Sequence, residues 1–202
     1  MNLPHLQPCE HELPPSEFGT LSQLMADTGH GDAPIVVMLT CWELGTAPDQ
    51  VSFANPGEIM VAQNPGGLVP SVETHEPGSD LGTVLYGLNH STVGHLIVCG
   101  HTECKTLGLL LEAESKKKKN PFHHLMENVK ERFRVTYADR PARDWLSIVV
   151  QESVLQQLAN LRSHTSVESR LRDGTLLMHG WIRDDDSSAI AAYNPTAGQF
   201  CD

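Results

Sequence analysis

Four short apolar runs, each stopped by polar or turn-forming residues, constrain this chain more than any other feature. They are Ala33-Pro-Ile-Val-Val-Met-Leu-Thr-Cys41, Glu58-Ile-Met-Val-Ala-Gln-Asn64, His95-Leu-Ile-Val-Cys-Gly-His101 and Thr175-Leu-Leu-Met-His-Gly-Trp-Ile182. Continuous apolar text of this length predicts strands buried on both faces, as in a parallel sheet. Asn55-Pro56-Gly57 turns the chain into the second run, and Asp184 to Ser188 form a turn after the fourth. Ala189 to Tyr193 then reads as a short edge strand. The intervening text is helical. Asp80 to Ser91 places Leu81, Val84, Leu85 and Leu88 on one face, Thr106 to Ser115 is leucine-rich, and Pro121 to Val135 and Ala142 to Arg162 are amphipathic. A further helix is predicted from Ser16 to Asp27, with Phe18, Leu21, Leu24 and Met25 at helical spacing. Strands alternating with helices imply right-handed βαβ units. The expected fold is α/β: a central, mainly parallel sheet flanked by helices on both faces. With no internal repeat and no long linker, one domain over residues 1–202 is expected, residues 1–32 forming an N-terminal helical arm.

Charge and composition narrow the partners. The formal net charge is -11, from 25 acidic and 14 basic residues. Such a balance argues against a nucleic-acid backbone as partner, and no apolar run approaches the ~18 residues of a membrane span. The N-terminus is polar, proline-rich and acidic rather than a secretory signal, which suggests a cytoplasmic address. The basic cluster Lys116 to Lys119 reads as a solvated loop. His5, His11, His30, His123 and His124 read as surface residues, His179 as a hydrogen-bonded core histidine, and Asp184 to Asp186 as a solvated hairpin tip.

Five cysteines occur, Cys9, Cys41, Cys99, Cys104 and Cys201. The odd count speaks against a disulfide framework and turns attention to metal. In Cys99-Gly100-His101-Thr102-Glu103-Cys104 a buried strand ends in a histidine and, three residues on, a cysteine at a helix start. Ligands gather at the carboxyl ends of parallel strands, and Cys41 ends the first strand in the same way. One imidazole and two thiolates are a zinc-type donor set. The bland alternative makes Cys41 a core thiol and His101 a helix-capping residue. Cys99 reads as core, and Cys9 and Cys201 as free thiols near the termini.

Cys41 at a strand end, the segment Pro56-Gly-Glu-Ile-Met-Val-Ala-Gln-Asn-Pro-Gly-Gly-Leu-Val-Pro70, and Cys99-Gly-His-Thr-Glu-Cys104 together resemble the β-carbonic anhydrase family. His179-Gly-Trp-Ile182 and Gly198-Gln-Phe200 resemble its closing strands. The resemblance implies zinc held by Cys41, His101 and Cys104, a fourth position for water or hydroxide, and reversible hydration of carbon dioxide to bicarbonate. It also implies a homodimer or higher homo-oligomer, the N-terminal arm wrapped on its neighbour.

The chain departs from the family pattern beside Cys41. Glu43 stands where the family has an aspartate that accepts a hydrogen bond from the zinc-bound water. Gly45 stands where the family has the arginine that holds that aspartate off the metal. Gln63 also replaces an arginine, and Lys105 a glycine. A buried carboxylate without a counter-charge tends to protonate or to find a metal. Three readings follow: Glu43 is the catalytic acceptor of a working, weakened enzyme; the pocket with Trp42, Leu44 and Gly45 hydrolyses carbonyl sulfide or carbon disulfide; or Glu43 closes a Cys-Cys-His-Glu tetrahedron, leaving an inactive zinc-stabilised scaffold. Trp42 is expected to be a packing residue and Lys105 to point to solvent.

Overall fold

The computed structural model describes residues 3–7, 11, 13–31, 33–44, 54–74, 79–112 and 123–201. Gly45, Cys9 and Lys116 to Lys119 lie outside them, as do the side chains of His123 and His124. Each apolar run forms a strand: β1 (Val36–Cys41), β2 (Ile59–Asn64), β3 (His95–His101) and β4 (Leu177–Arg183). The helices are α1 (Leu21–Asp27), α2 (Ser79–Leu88), α3 (Lys105–Glu112), α4 (His123–Thr136), α5 (Trp145–Arg162) and α6 (Thr165–Arg172). Strands β5 (Ile190–Asn194) and β6 (Gln199–Cys201) complete a sheet of order β2-β1-β3-β4-β5-β6. The first four strands pair in parallel and the last two add antiparallel. None of the described helices is long and apolar enough to cross a membrane.

Helices cover both faces of the sheet, as expected, but unequally. The crossovers from β2 to β3 and from β3 to β4 run the same way across the sheet. Right-handedness therefore puts α2 and then α3 to α6 on one face. There Val37, Leu39, Leu96 and Val98 meet Val84, Leu88, Val150, Val154 and Leu158 in the main core. Gly100 lets α5 approach, because a Cβ there would lie 2.9 Å from Val154 Cγ2. The β1 to β2 connection runs the opposite way and carries no α-helix among its described residues. On that second face a smaller cluster of Val36, Met38, Ile97, Cys99 and Trp181 is met by Leu24 of α1.

Three element boundaries also differ. The arm helix starts at Leu21, not Ser16, because Thr20 and Gln23 form a reciprocal capping box and Phe18 bridges to Met178. Helix α6 was not expected; it is short and buries only Val167 and Leu171. Strand β5 is not an edge, because Asn194 Oδ1 accepts the Thr196 and Ala197 N–H groups and Gly198, at φ 65°, returns the chain as β6.

Buried polar pairs pin the arm. Arg162 grips Glu17 through two hydrogen bonds of 2.7 and 3.0 Å. His11, expected at the surface, lies 3.0 Å from Glu152, which also accepts from Tyr137 Oη. His179 is the core histidine expected of it, 3.0 Å from His95 Nδ1, and burial beside His95 lowers it to about 3. Glu58, buried at the entry to β2, accepts the backbone N–H groups of Gly29, Asn55, His30 and Gly31 at 2.7 to 3.0 Å. Burial alone would raise its pKa; the four donors outweigh that and hold it below the usual carboxylate range. A depressed folded pKa stabilises above the unfolded value, about 4.3, and that contribution disappears as pH falls through the folded value. Glu58→Gln is expected to lower stability at pH 7 by about 2 kcal/mol. The deficit relative to wild type should shrink as pH falls below about 4.3, measured by urea unfolding at several pH values.

Candidate metal centre

Parallel pairing of β1 with β3, from Val36↔His95 to Thr40↔Cys99, leaves Cys41 level with the end of β3, where His101 and Cys104 follow. The turn after β2 closes in from the other side, since Cys41 pairs with Asn64. Gly66 (φ 80°) donates its N–H to Cys41 Sγ at 3.2 Å. A Cβ on Gly67 would stand 3.2 Å from the Thr40 carbonyl carbon, so glycine keeps this turn against β1. The Asn64-Pro65-Gly66-Gly67 turn thus does more than reverse the chain.

Cys41, Glu43, His101 and Cys104 each offer a ligand atom, all within 4.8 Å of one another. The sequence expectation placed Cys41, His101 and Cys104 together and Glu43 beside them, and the structure brings all four to one point. Two zinc–sulfur bonds of about 2.3 Å at the tetrahedral angle put the sulfurs about 3.8 Å apart. Cys41 Sγ and Cys104 Sγ are 3.8 Å apart. His101 Nε2 is buried and makes no hydrogen bond, while Nδ1 meets Asp185 Oδ2 at 2.7 Å. A buried imidazole held from behind by a carboxylate, with its free nitrogen facing two sulfurs, is the arrangement of a metal ligand rather than of a helix cap. The residues fit a zinc ion.

The two thiols are shifted in opposite directions. Cys104 donates to Cys41 and, against the effect of burial, neighbouring His101 and the Glu43 and Gly66 N–H groups add to this, lowering Cys41 to about 5. Cys104, the donor of the pair and itself buried, is raised. Cys99 is the core thiol expected, pushed up to about 12 by burial. Cys201 is exposed and free.

Glu43 sits on a 3-10 turn, Trp42–Leu44, directly after β1. Its carboxylate reaches the start of α3, accepting the Lys105 N–H at Oε2 (2.8 Å) and the Thr106 N–H at Oε1 (3.1 Å). Thr106 Oγ1 donates to Oε1 as well. Burial works against its charge, but Thr106 and these N–H groups prevail and its pKa lies below the usual range. Lys105 is exposed, as expected, and contributes only its backbone. Gln63 is also exposed. Trp42 is not a packing residue in this chain; it is 62% exposed.

Two participants escaped the sequence reading. Asp185, taken for part of a solvated hairpin tip, accepts from His101 and from the Glu103 N–H (2.8 Å) and lies 3.8 Å from Arg183. Its signal was positional: β4 neighbours β3, so the residue two past the end of β4 reaches the end of β3. Thr106 carried no signal beyond its place in the first turn of a helix.

A family model described as carbonic anhydrase matches residues 36–190. The chain is 30% identical over 195 residues to a carbonic anhydrase of Pseudomonas aeruginosa, covering 89% of this chain and 82% of that one. It is 30% identical over 171 residues to carbonic anhydrase 1 of Escherichia coli O157:H7, covering 83% and 77%. Among solved structures, the β-carbonic anhydrase CcaA superposes with a TM-score of 0.78 at 26% identity, covering 89% of each chain. Two tetrameric β-carbonic anhydrases from Sordaria macrospora share the fold, with a TM-score of 0.65 at 17% identity over 80% of this chain and 81% of that one. The family match spans well over half of the sequence, and the chain belongs to the carbonic anhydrase family, within its β class.

Proposed function

We propose that this chain is a zinc enzyme that interconverts carbon dioxide and bicarbonate, with Cys41, His101 and Cys104 as the metal ligands. The observation that carries the reading is the buried, unbonded Nε2 of His101, held by Asp185 behind it and faced by two sulfurs at tetrahedral spacing. When bound, zinc supplies a Lewis acid that lowers the pKa of coordinated water to about 7. The chain's own residues do the rest. Asp185 fixes the His101 tautomer by taking the Nδ1 proton in a hydrogen bond. Glu43, charged and anchored on α3, offers an acceptor that orients the reacting water, so that its lone pair faces the carbon of the substrate. Small, linear carbon dioxide requires no charged anchor of its own.

A homo-oligomer, dimer or larger, belongs to the same proposal. Helix α1 leaves Leu21 and Met25 exposed, Trp42 stands exposed beside the site, and tetramers occur among proteins of this fold. A second reading keeps the zinc and closes it: an oxygen of Glu43 lies within 4.8 Å of the other donors, near enough for a modest rotation to make it the fourth ligand.

Stopped-flow hydration of carbon dioxide on protein holding one zinc per chain decides between the two. Turnover above buffer is expected, with light scattering giving at least twice the chain mass. A rate equal to buffer at full zinc occupancy would reject the enzymatic reading in favour of the closed site. Cys104→Ser should lose both metal and activity. Asp185→Asn should keep the fold but bind zinc about 10- to 100-fold more weakly, read by competition with a chromophoric chelator.

A further inference from the structure

A carboxylate beside two thiolates and a divalent ion ordinarily becomes a ligand unless something else engages it. In this chain that engagement is specific. An ionised carboxylate has about four lone-pair sites. Three are taken at the start of α3: Oε1 accepts from Thr106 N and Thr106 Oγ1, and Oε2 accepts from Lys105 N. These N–H groups belong to the first turn, which has no acceptors within its own helix. The partial positive charge of a helix N-terminus supports an anion there. Among the described residues no lysine or arginine pairs with Glu43. Among the described residues its charge is held mainly by the helix start and one buried hydroxyl, with a smaller contribution from neighbouring His101.

We propose that Thr106, together with the first turn of α3, is the positioning element that keeps Glu43 off the metal and leaves the fourth coordination position to solvent or substrate. The inference rests on the zinc reading above and deepens it by assigning the open state to a residue outside the ligand set. With Oε1 filled by two donors and Oε2 by one, a single lone pair on Oε2 remains to accept from a water. Removing the Thr106 hydroxyl frees one of the two lone pairs held at Oε1 and leaves only the longer Thr106 N–H contact there, so that the carboxylate can pivot about the Lys105 contact toward the ion. Valine has the shape of threonine, keeps both backbone donors and removes only the hydroxyl. Serine restores the hydroxyl.

The test uses cobalt(II) in place of zinc, because cobalt visible absorption reports the fourth ligand directly. Wild type and Thr106→Ser, loaded with one cobalt per chain, are expected to change spectrum saturably on titration with thiocyanate. Thr106→Val is expected to hold cobalt equally well yet bind thiocyanate about tenfold or more weakly, the size of one charge-assisted hydrogen bond. Adding Glu43→Gln to Thr106→Val should bring the thiocyanate response back, since a neutral amide is a poor ligand. A Thr106→Val protein that titrates like wild type overturns the proposal. So does a wild-type cobalt spectrum indifferent to thiocyanate, which would mean that Glu43 already closes the site. Failure to take up one metal per chain would instead strike the zinc reading itself, and is recognised by metal analysis before any titration.

Discussion

The parallel ladder between β1 and β3 is the constraint on which the rest of the molecule depends. Its register pairs residues fifty-nine positions apart, from Val36↔His95 through Thr40↔Cys99, and so sets Cys41 level with Gly100, next to His101. A slip of one residue would turn Cys41 to the other face and carry Val37 and Leu39 out of the main core. The ladder is held from both sides. Thr40 Oγ1 donates to the Cys99 carbonyl at 2.9 Å, a bond between the two central strands inside the core, while Leu39 and Val98 pack in one cluster. Hydrophobic burial thus fixes the register, and the register assembles the site. Shifting the core would leave the four candidate donors with no reason to meet.

The unequal distribution of the helices follows from the order of the strands and bears on the site. Helix α5 lies under β3 and β4, and α3 springs from the end of β3, so the covered face buttresses His101 and Cys104 from below. Gln157 of α5 accepts the Val69 N–H and Asn160 donates to the Val69 carbonyl, both at 2.8 Å. That clamp fixes the chain just after Gly66 and Gly67, and so fixes the N–H aimed at Cys41. The opposite face, met by the seven-residue α1, is where Trp181 and His179 lie near the arm. Glu58 and Glu17 tie that arm to the body through a backbone nest and an arginine fork. The arm is packed on the body of its own chain.

Strands β1 to β4 were legible because burial on both faces leaves continuous apolar text, which a sequence cannot hide. The candidate donors were legible because Cys41 and His101 end such runs and Cys104 follows three residues on. Helix α6 escaped because eight residues carry too little periodicity to stand out from turn, and the three-residue β6 was legible only through the resemblance of Gly198-Gln-Phe200 to a closing strand. His11 looked like any polar residue of an acidic terminus; its burial depends on Glu152 and Tyr137, more than a hundred residues away. Asp185 and Thr106 belong to the same class. Their roles come from which strand lies beside which and from where a helix begins, and neither leaves a pattern in the local text. The zinc-type cluster was therefore predictable as a set of donors, whereas the groups that orient those donors were not.

Glutamate at 43 makes physical sense only in the company of α3. Aspartate, one methylene shorter, would stop short of the helix start from the same backbone position and would need a cation brought to it. The longer side chain reaches donors that already exist, because every helix begins with unsatisfied N–H groups. Those donors also differ in kind from an arginine. A guanidinium rides on a flexible stem, and holding it still costs rotamer entropy; backbone N–H groups are fixed by the helix that contains them. The first of them, Lys105 N, follows Cys104 directly. The contact that restrains the acid therefore also restrains the loop bearing Cys104, so that the Glu43 carboxylate and the Cys104 sulfur are tied to the same helix start. An acid anchored this way is preorganised, and among the described residues its hydrogen-bond donors all belong to that one helix start.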